Sequence, residues 1–331
     1  MDKWRSYDQI TLIPNQVSTL EHRSEADTSV EFGPLTLKIP IIAAPMPDVS
    51  NGEMAHRLKG LGSFGWVHRF QSLSQQEKEL HQRNTLTGTF DYPNRLGAAV
   101  GLNDYYDRIS VLHNAGVQVF CLDTANGASQ MVEKAILNIK KHFPDVFLVV
   151  GNIASFENFY RLQEWGADAI RVGIAGGSVC ETRTETGIYS PMASVISETY
   201  QQIRKSVRKA LLIADGGIKS PGDMCKALAL GADCVMIGGA LAGTSESPGD
   251  VILIDGKKHK YLRGAASYST QKENGNEDPE YIEGRETPVP YRGSVKDVID
   301  RYAAGLRSSM SYNNARTLAE FRQNVTIKEV A

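Results

Sequence analysis

No apolar run in this chain approaches the roughly 20 residues that a membrane-spanning helix needs, and Met1-Asp2-Lys3-Trp4 leads directly into polar sequence with no signal-peptide core. These absences exclude a membrane-spanning helix and point to the cytoplasm. Charge of one sign is lacking as well, since 36 Lys and Arg stand against 38 Asp and Glu for a net charge of −2. So balanced a chain has no electrostatic footprint for nucleic acid or an anionic membrane, and any anion must be held by a local site. The expected partner is a small molecule. The four cysteines, Cys121, Cys180, Cys225 and Cys234, contain no CxxC pair. The histidines are scattered, and no His/Cys/Asp cluster has metal-ligand spacing. The fingerprint GxGxxG is missing from the first strand-helix turn, which counts against a doubly wound open sheet.

What is present is ample apolar material in short runs. With 331 residues, 41% of them hydrophobic, the chain can bury a large core and fits one α/β barrel or two ordinary domains. Eight runs recur: Pro40–Pro45, Ser63–His68, Leu96–Gly101, Val117–Asp123, Phe147–Asn152, Ala169–Ile174, Leu211–Gly217 and Cys234–Gly239. Segments between them, such as Gln130–His142, Phe156–Trp165 and Gly222–Leu230, space apolar residues three and four apart, as amphipathic helices do. Eight β-α units with near-continuous apolar strands predict a (β/α)8 TIM barrel, a single α/β domain over residues 1–331. Beyond the eighth run, Val251–Leu262 is expected to form a hairpin around Asp255-Gly256 near the C-terminal face. The polar stretch Ser267–Glu280 is expected to be a mobile flap, within a flap region of about 264–292. Gly293–Met310 returns to a helical pattern, followed by a short helix near Thr317–Arg322.

A TIM barrel keeps its chemistry on the loops after its strands. The richest of these is Gly173-Ile174-Ala175-Gly176-Gly177-Ser178-Val179-Cys180-Glu181-Thr182-Arg183. Its glycines let backbone approach a ligand, while Ser178, Cys180, Thr182 and Arg183 add two hydroxyls, a thiol and a fixed charge. Cys180 is the candidate nucleophile, because amide and positive surroundings favour a thiolate. Glu181 beside it opposes that effect. Cys121, Cys225 and Cys234 lie in apolar surroundings and are expected to be core residues. A phosphate site in such barrels commonly lies after strands seven and eight, where this chain has Asp215-Gly216-Gly217-Ile218 and Gly238-Gly239-Ala240.

These residues resemble a known family. Gly173-Ile174-x-x-Gly177-Ser178-Val179-Cys180-x-Thr182-Arg183 is similar to the signature of the IMP dehydrogenase and GMP reductase family. Further matches are Leu122-Asp123-Thr124-Ala125-Asn126-Gly127, Ala214-Asp215-Gly216-Gly217-Ile218, Gly231-Ala232-Asp233-x-Val235-Met236-Ile237-Gly238-Gly239 and Gly305-Leu306-Arg307-Ser308. The resemblance implies that the Cys180 thiol adds to C2 of a purine nucleoside monophosphate and that a hydride moves between that carbon and a nicotinamide. It further implies that Ser178, Gly217, Gly238 and Gly239 hold the 5′-phosphate by hydroxyl and amide donors and that Asp215 accepts from the ribose. By the same resemblance Met46 lies against the base, and Asp123, Asn126 and Gly127 meet the dinucleotide. A monovalent cation, K+, would rest on backbone carbonyls of Gly177 and Cys180, and the assembly would be a homotetramer.

The two branches of the family differ in how the covalent intermediate is resolved. A dehydrogenase hydrolyses it with an arginine-tyrosine pair on the flap, and between Gly264 and Gly284 this chain has no arginine. Nor is there room for the inserted regulatory domain pair of most dehydrogenases. The reductase uses a threonine and a glutamate to handle the protons of ammonia, and Thr182 and Glu283 stand at matching positions. Glu283-Gly284-Arg285 resembles the reductase's Glu-Gly-Lys, with Arg285 a substrate-side residue. The resemblance therefore favours NADPH-dependent reductive deamination of GMP, with NADH a possible donor. A dehydrogenase without regulatory domains, a relative acting on another purine nucleotide and a non-enzymatic nucleotide binder stay open. Departures lie at Ala175-Gly176 in place of Gly-Pro, at Glu181 in place of Thr, and at Pro47 and Leu262.

Overall fold

The computed structural model describes residues 4–81, 96–207, 210–273 and 275–330. Its centre is an eight-stranded parallel sheet made of Ile41–Ala43, Trp66–Val67, Gly97–Val100, Val119–Asp123, Phe147–Ile153, Ala169–Val172, Leu211–Asp215 and Cys234–Ile237. From the second to the eighth each strand pairs with its neighbour in sequence, the eighth returns to pair with the first, and an isolated parallel bridge between Ile42 and Phe64 closes the seam between the first and second. The result is a TIM barrel, and each of the eight apolar runs supplies one of its strands.

Alternation within a strand sorts side chains between two cores. Along Ala169–Val172, Ala169 and Arg171 share the lumen side, while Ile170 and Val172 pack outward beneath the helices. Cys121, Val149, Ile213, Cys234 and Met236 fill the lumen with Ala169. The outer core is covered by helices that include Gln130–His142, Phe156–Trp165, Met192–Ile203, Pro221–Ala229 and Val295–Tyr312. Four of these five begin on a serine whose hydroxyl accepts an amide of the first turn: Ser129, Ser155, Ser220 and Ser294. Each cap is worth about 1 kcal/mol. They fix where each helix starts, and so how long the preceding loop is.

The N-terminal mouth is plugged. A small hairpin, Val30–Phe32 with Leu35–Leu37, inserts Phe32 against Phe64 and Phe147 at ring-centroid distances of 5.2 and 4.9 Å, and Phe64 meets Trp66 edge-on at 4.9 Å. Such pairs add about 1 kcal/mol each beyond their burial. Among the described residues that end is filled by packed rings, which leaves the C-terminal mouth to meet a ligand. The strand Ile10–Pro14 pairs antiparallel with Val325–Glu329 and ties the two ends of the chain together.

Over the C-terminal mouth stands a three-stranded antiparallel sheet, Ile252–Ile254, Lys257–Arg263 and Glu286–Pro290. The expected hairpin is there, turning at Asp255 and Gly256 with φ of 49° and 74°. The flap region differs from expectation in two ways. Glu286–Pro290 is a regular edge strand, where Pro288 and Pro290 are tolerated because an edge leaves amides unpaired. Within Ser267–Glu280 lies a short helix, Tyr268–Glu273, whose sole buried residue is Thr270. The sheet is clamped to the first barrel loop by Asp48, which accepts from the Nε, NH2 and backbone amide of Arg263 at 2.7 to 2.9 Å.

Candidate active site

The loop leaving the sixth strand turns at Gly173, where φ is 139° and a Cβ would lie 2.1 Å from the Asp215 carbonyl oxygen. Only glycine fits there. Ala175 also adopts left-handed geometry, with φ of 59°, which costs a residue with a Cβ on the order of 1 kcal/mol. That strain accompanies the departure from Gly-Pro. The loop then brings Cys180 to the mouth with its amide on the Gly177 carbonyl at 3.2 Å. The Cys180 thiol donates to the Thr182 hydroxyl at 3.2 Å, and that hydroxyl donates to Glu283 Oε2 at 2.6 Å. Thiol, hydroxyl and carboxylate thus form a continuous proton path. The other cysteines differ: burial pushes Cys121 up to about 12 and Cys225 up to about 11, which keeps both protonated and inert.

Glu283 arrives from 101 positions away because its segment adds to the cysteine loop as a strand. Cys180 and Gly284 form an antiparallel bridge, the Glu181 amide donates to the Glu283 carbonyl at 2.8 Å, and the Arg285 amide donates to the Val179 carbonyl at 3.0 Å. The side chains repeat the connection. Arg285 Nε meets Glu181 Oε1 at 3.2 Å, and its NH2 donates to the Ser178 carbonyl at 3.0 Å. Glu181 therefore has a physical account: its charge is matched to a flap arginine rather than turned on the thiol. Because the Arg285 side chain is 60% exposed, water screens the pair. A double-mutant cycle of Glu181→Gln and Arg285→Gln, read by thermal unfolding, is expected to give a coupling of about 0.5 kcal/mol. Additive effects would show the pair to be incidental.

A second network lies just inside the lumen. Arg171, its side chain only 7% exposed, donates to Asp123 Oδ1 at 2.6 Å and to Asp215 Oδ2 at 2.9 Å. Arg69 bonds Asp123 Oδ2 at 3.1 Å, and Asn152 Nδ2 bonds Asp215 Oδ2 at 2.8 Å. Two arginines and two aspartates balance. The arginine has room because its neighbour on the fifth strand is Gly151, where a Cβ would fall 2.5 Å from Arg171 Cβ. Burial alone would raise the Asp123 carboxyl, but Arg171 and Arg69 outweigh it and hold the group below the usual carboxylate range.

One cavity of about 1200 Å³ joins these features. It is lined by Cys180, Thr182, Glu283 and Arg285, and by Met46, Ser178, Asp215, Gly217, Gly238 and Gly239. Met46 Sδ is 3.5 Å from where a Cβ of Gly238 would be, and Ser178 Oγ 3.1 Å from that of Gly239. No described hydrogen bond consumes the amides of Ser178, Gly238 or Gly239. The amide of Gly217, by contrast, is spent on the Gly176 carbonyl at 2.9 Å, so Gly217 can offer an anion space but not that donor.

On the opposite side Asp123 and Asn126 line the cavity, along with Thr124 and Ala125 of the same motif, to which no role was assigned. The Asp123 oxygens already serve the two arginines, and Asn126 Oδ1 accepts the Ala128 amide. Gly127 is not brought to the cavity: it is buried, with its amide on the Asn152 carbonyl at 2.8 Å. The cation expectation fits poorly. The Gly177 carbonyl is turned back onto the Cys180 amide, and two carbonyls fall well short of the six or so oxygens that a hard cation gathers. Arg171 is the residue that sequence reasoning missed. A lone charge inside an apolar strand, two positions from Gly173 and on the lumen side, was the available signal.

Comparison with known proteins agrees with this fold. Residues 5–331 match the family model for the IMP dehydrogenase / GMP reductase domain. The chain is 37% identical over 321 residues to the GMP reductase of Lactobacillus johnsonii, covering 96% of this chain and 92% of that protein. It is 35% identical to the GMP reductase of Chromobacterium violaceum, with 96% of each covered, and 31% identical to the inosine-5′-monophosphate dehydrogenase of Borreliella burgdorferi, covering 96% and 92%. Its fold superposes on a crystal structure of a GMP reductase variant from Trypanosoma brucei in complex with guanosine 5′-monophosphate with a TM-score of 0.91 at 24% identity, covering all of this chain and 96% of that one. Matched by the family model over residues 5–331 and by relatives along nearly its whole length, this chain belongs to the IMP dehydrogenase / GMP reductase family.

Proposed function

We propose that the protein is a GMP reductase, converting GMP to IMP and ammonia at the expense of NADPH. The observation that carries this reading is the path from Cys180 through Thr182 to Glu283. The Cys180 sulfur bonds to C2 of the guanine while the thiol proton passes along the path and the exocyclic amine leaves as ammonia, which yields a neutral thioimidate. Thr182 suits the relay because a hydroxyl donates and accepts at once, and Glu283 can hold and return the proton at Oε2. Met46 supports the base, Asp215 accepts from the ribose, and Ser178, Gly238 and Gly239 bind the 5′-phosphate. Arg285 borders the substrate and steadies the loop.

A nicotinamide cofactor goes with membership of this family, and the cavity has room for one, since about 1200 Å³ exceeds the usual 300–1000 Å³ of a single-ligand pocket. Asp123, Asn126 and the neighbouring Thr124 and Ala125 form the wall that would hold it. When bound, the reduced nicotinamide supplies the hydride that replaces the C2–S bond with C2–H. Cys180 is then released as thiolate and takes up a proton from solvent through Glu283 and Thr182. No step is assigned to a monovalent cation. A homotetramer is the assembly proposed, with sedimentation as its check.

Loss of absorbance of the reduced nicotinamide on mixing protein, NADPH and GMP tests the reading. Turnover with NAD and IMP but none with NADPH and GMP would instead favour the dehydrogenase, to which a 31% identical relative gives independent weight. In Glu283→Gln, ammonia release is expected to fall by roughly 10²- to 10⁴-fold, the usual range for a lost acid-base group. Unchanged release would remove Glu283 from the proton path.

A further inference from the structure

Beside the phosphate-binding loops the cavity wall continues into a stretch, or lobe, of residues that the reaction above does not use. Its wall carries Lys219, Arg292, Arg301 and Tyr302, with Asp297 as the opposing charge. Lys219 follows Gly217 by two residues, on the loop after the seventh strand. Arg292 is fixed beside the segment after the eighth strand, its amide on the Gly243 carbonyl at 2.8 Å and Gly293 bridged to Thr244. Arg301 and Tyr302 lie on the helix Val295–Tyr312, which packs so tightly on the helix following Lys219 that a Cβ at Gly305 would meet Pro221 at 2.6 Å. The lobe is therefore on the side of strands seven and eight, away from Asp123 and Asn126.

Two observations mark it as a place for an anion. No described ion pair occupies the side chains of Lys219, Arg292 or Arg301, so the wall presents three cations to one carboxylate. Tyr302 is only 2% exposed, yet its hydroxyl has no hydrogen-bond partner. Burial pushes that phenol up to about 12, with Asp223 adding to the rise and Arg301 and Arg292 opposing it. The hydroxyl is thus a protonated donor within the field of both arginines, and a buried donor left unmade is costly.

We propose that this lobe is a subsite for a second phosphate, so that purine nucleoside 5′-diphosphates bind in the same pocket as GMP and compete with it. The proposal rests on the GMP reading of the pocket. The α-phosphate takes the place of the 5′-phosphate at Ser178 and Gly239, and the β-phosphate reaches Lys219 and the arginines. Arginine suits the task, since its fork matches phosphate oxygens.

Calorimetric titration of the full chain with GMP and with GDP tests this. GDP is expected to bind about tenfold more tightly than GMP, the sum of several exposed charge contacts. The double variant Arg292→Gln/Arg301→Gln is expected to remove that advantage and leave GMP affinity unchanged. Normal GMP binding with GDP no tighter would overturn the proposal, as would equal weakening of both nucleotides in the double variant. A loss confined to NADPH relative to NADH would assign the lobe to the dinucleotide and also overturn it. Failure of GMP itself to bind would remove the reading of the pocket and this proposal together.

Discussion

Cys180→Ala is expected to lower turnover with GMP and NADPH by at least about 10⁴-fold, the scale seen when a covalent nucleophile is removed. Without the sulfur no bond forms to C2, and no other thiol can substitute because Cys121, Cys225 and Cys234 are buried. Binding should survive, since the 5′-phosphate and ribose contacts assigned to Ser178, Gly239 and Asp215 lie elsewhere on the wall. The bond from Thr182 to Glu283 does not pass through the sulfur, so the flap keeps its register. Single-turnover absorbance and calorimetry with GMP separate the two effects. A variant that still turns over would end the covalent mechanism, and one that no longer binds GMP would place Cys180 in recognition instead.

Arg171→Met should cost about 3–5 kcal/mol of stability at neutral pH, as expected when one partner of a buried ion network is removed. It would leave Asp215 with Asn152 and Asp123 with Arg69 alone. The dependence on pH carries the sign. In the wild type Asp123 is held below its usual range, so its stabilising contribution is in place above the unfolded value of about 3.9 and is lost only as pH falls through the lower folded value. Without Arg171, burial dominates and the folded value rises. The cost is then largest near pH 7.5 and shrinks toward pH 5 as the stranded carboxylates take up protons. Urea unfolding at both pH values measures it. A loss below about 1 kcal/mol at pH 7.5, or one that does not change with pH, would show that the network does not hold the lumen together.

The barrel was legible because a strand buried on both faces must be apolar throughout, and eight such runs cannot be hidden. The helices Gln130–His142 and Phe156–Trp165 were legible to the residue, since each carries an apolar stripe and begins after a serine. Contacts between distant segments were not. Nothing local in Ile10–Pro14 announces Val325–Glu329 as its partner, and nothing near Glu181 announces Arg285. Tyr268–Glu273 escaped because a helix with one buried residue leaves no periodic trace. Arg171 was passed over for a different reason: in a run read as uniformly buried, its charge looked like an exception to burial, when it was the clue to where the lumen changes from packing to chemistry.

The backbone pairing of Val179–Glu181 with Glu283–Arg285 has a consequence for timing. The proposed nucleophile and proton acceptor sit on two segments that are one ladder only while the Glu283–Arg285 strand is docked. Any motion that peels this strand away to admit or release a nucleotide must break the Thr182–Glu283 bond in the same movement. With the strand peeled back the Thr182 hydroxyl has lost its carboxylate partner, so the arrangement works as an interlock: thiol and carboxylate are connected only while the strand is docked.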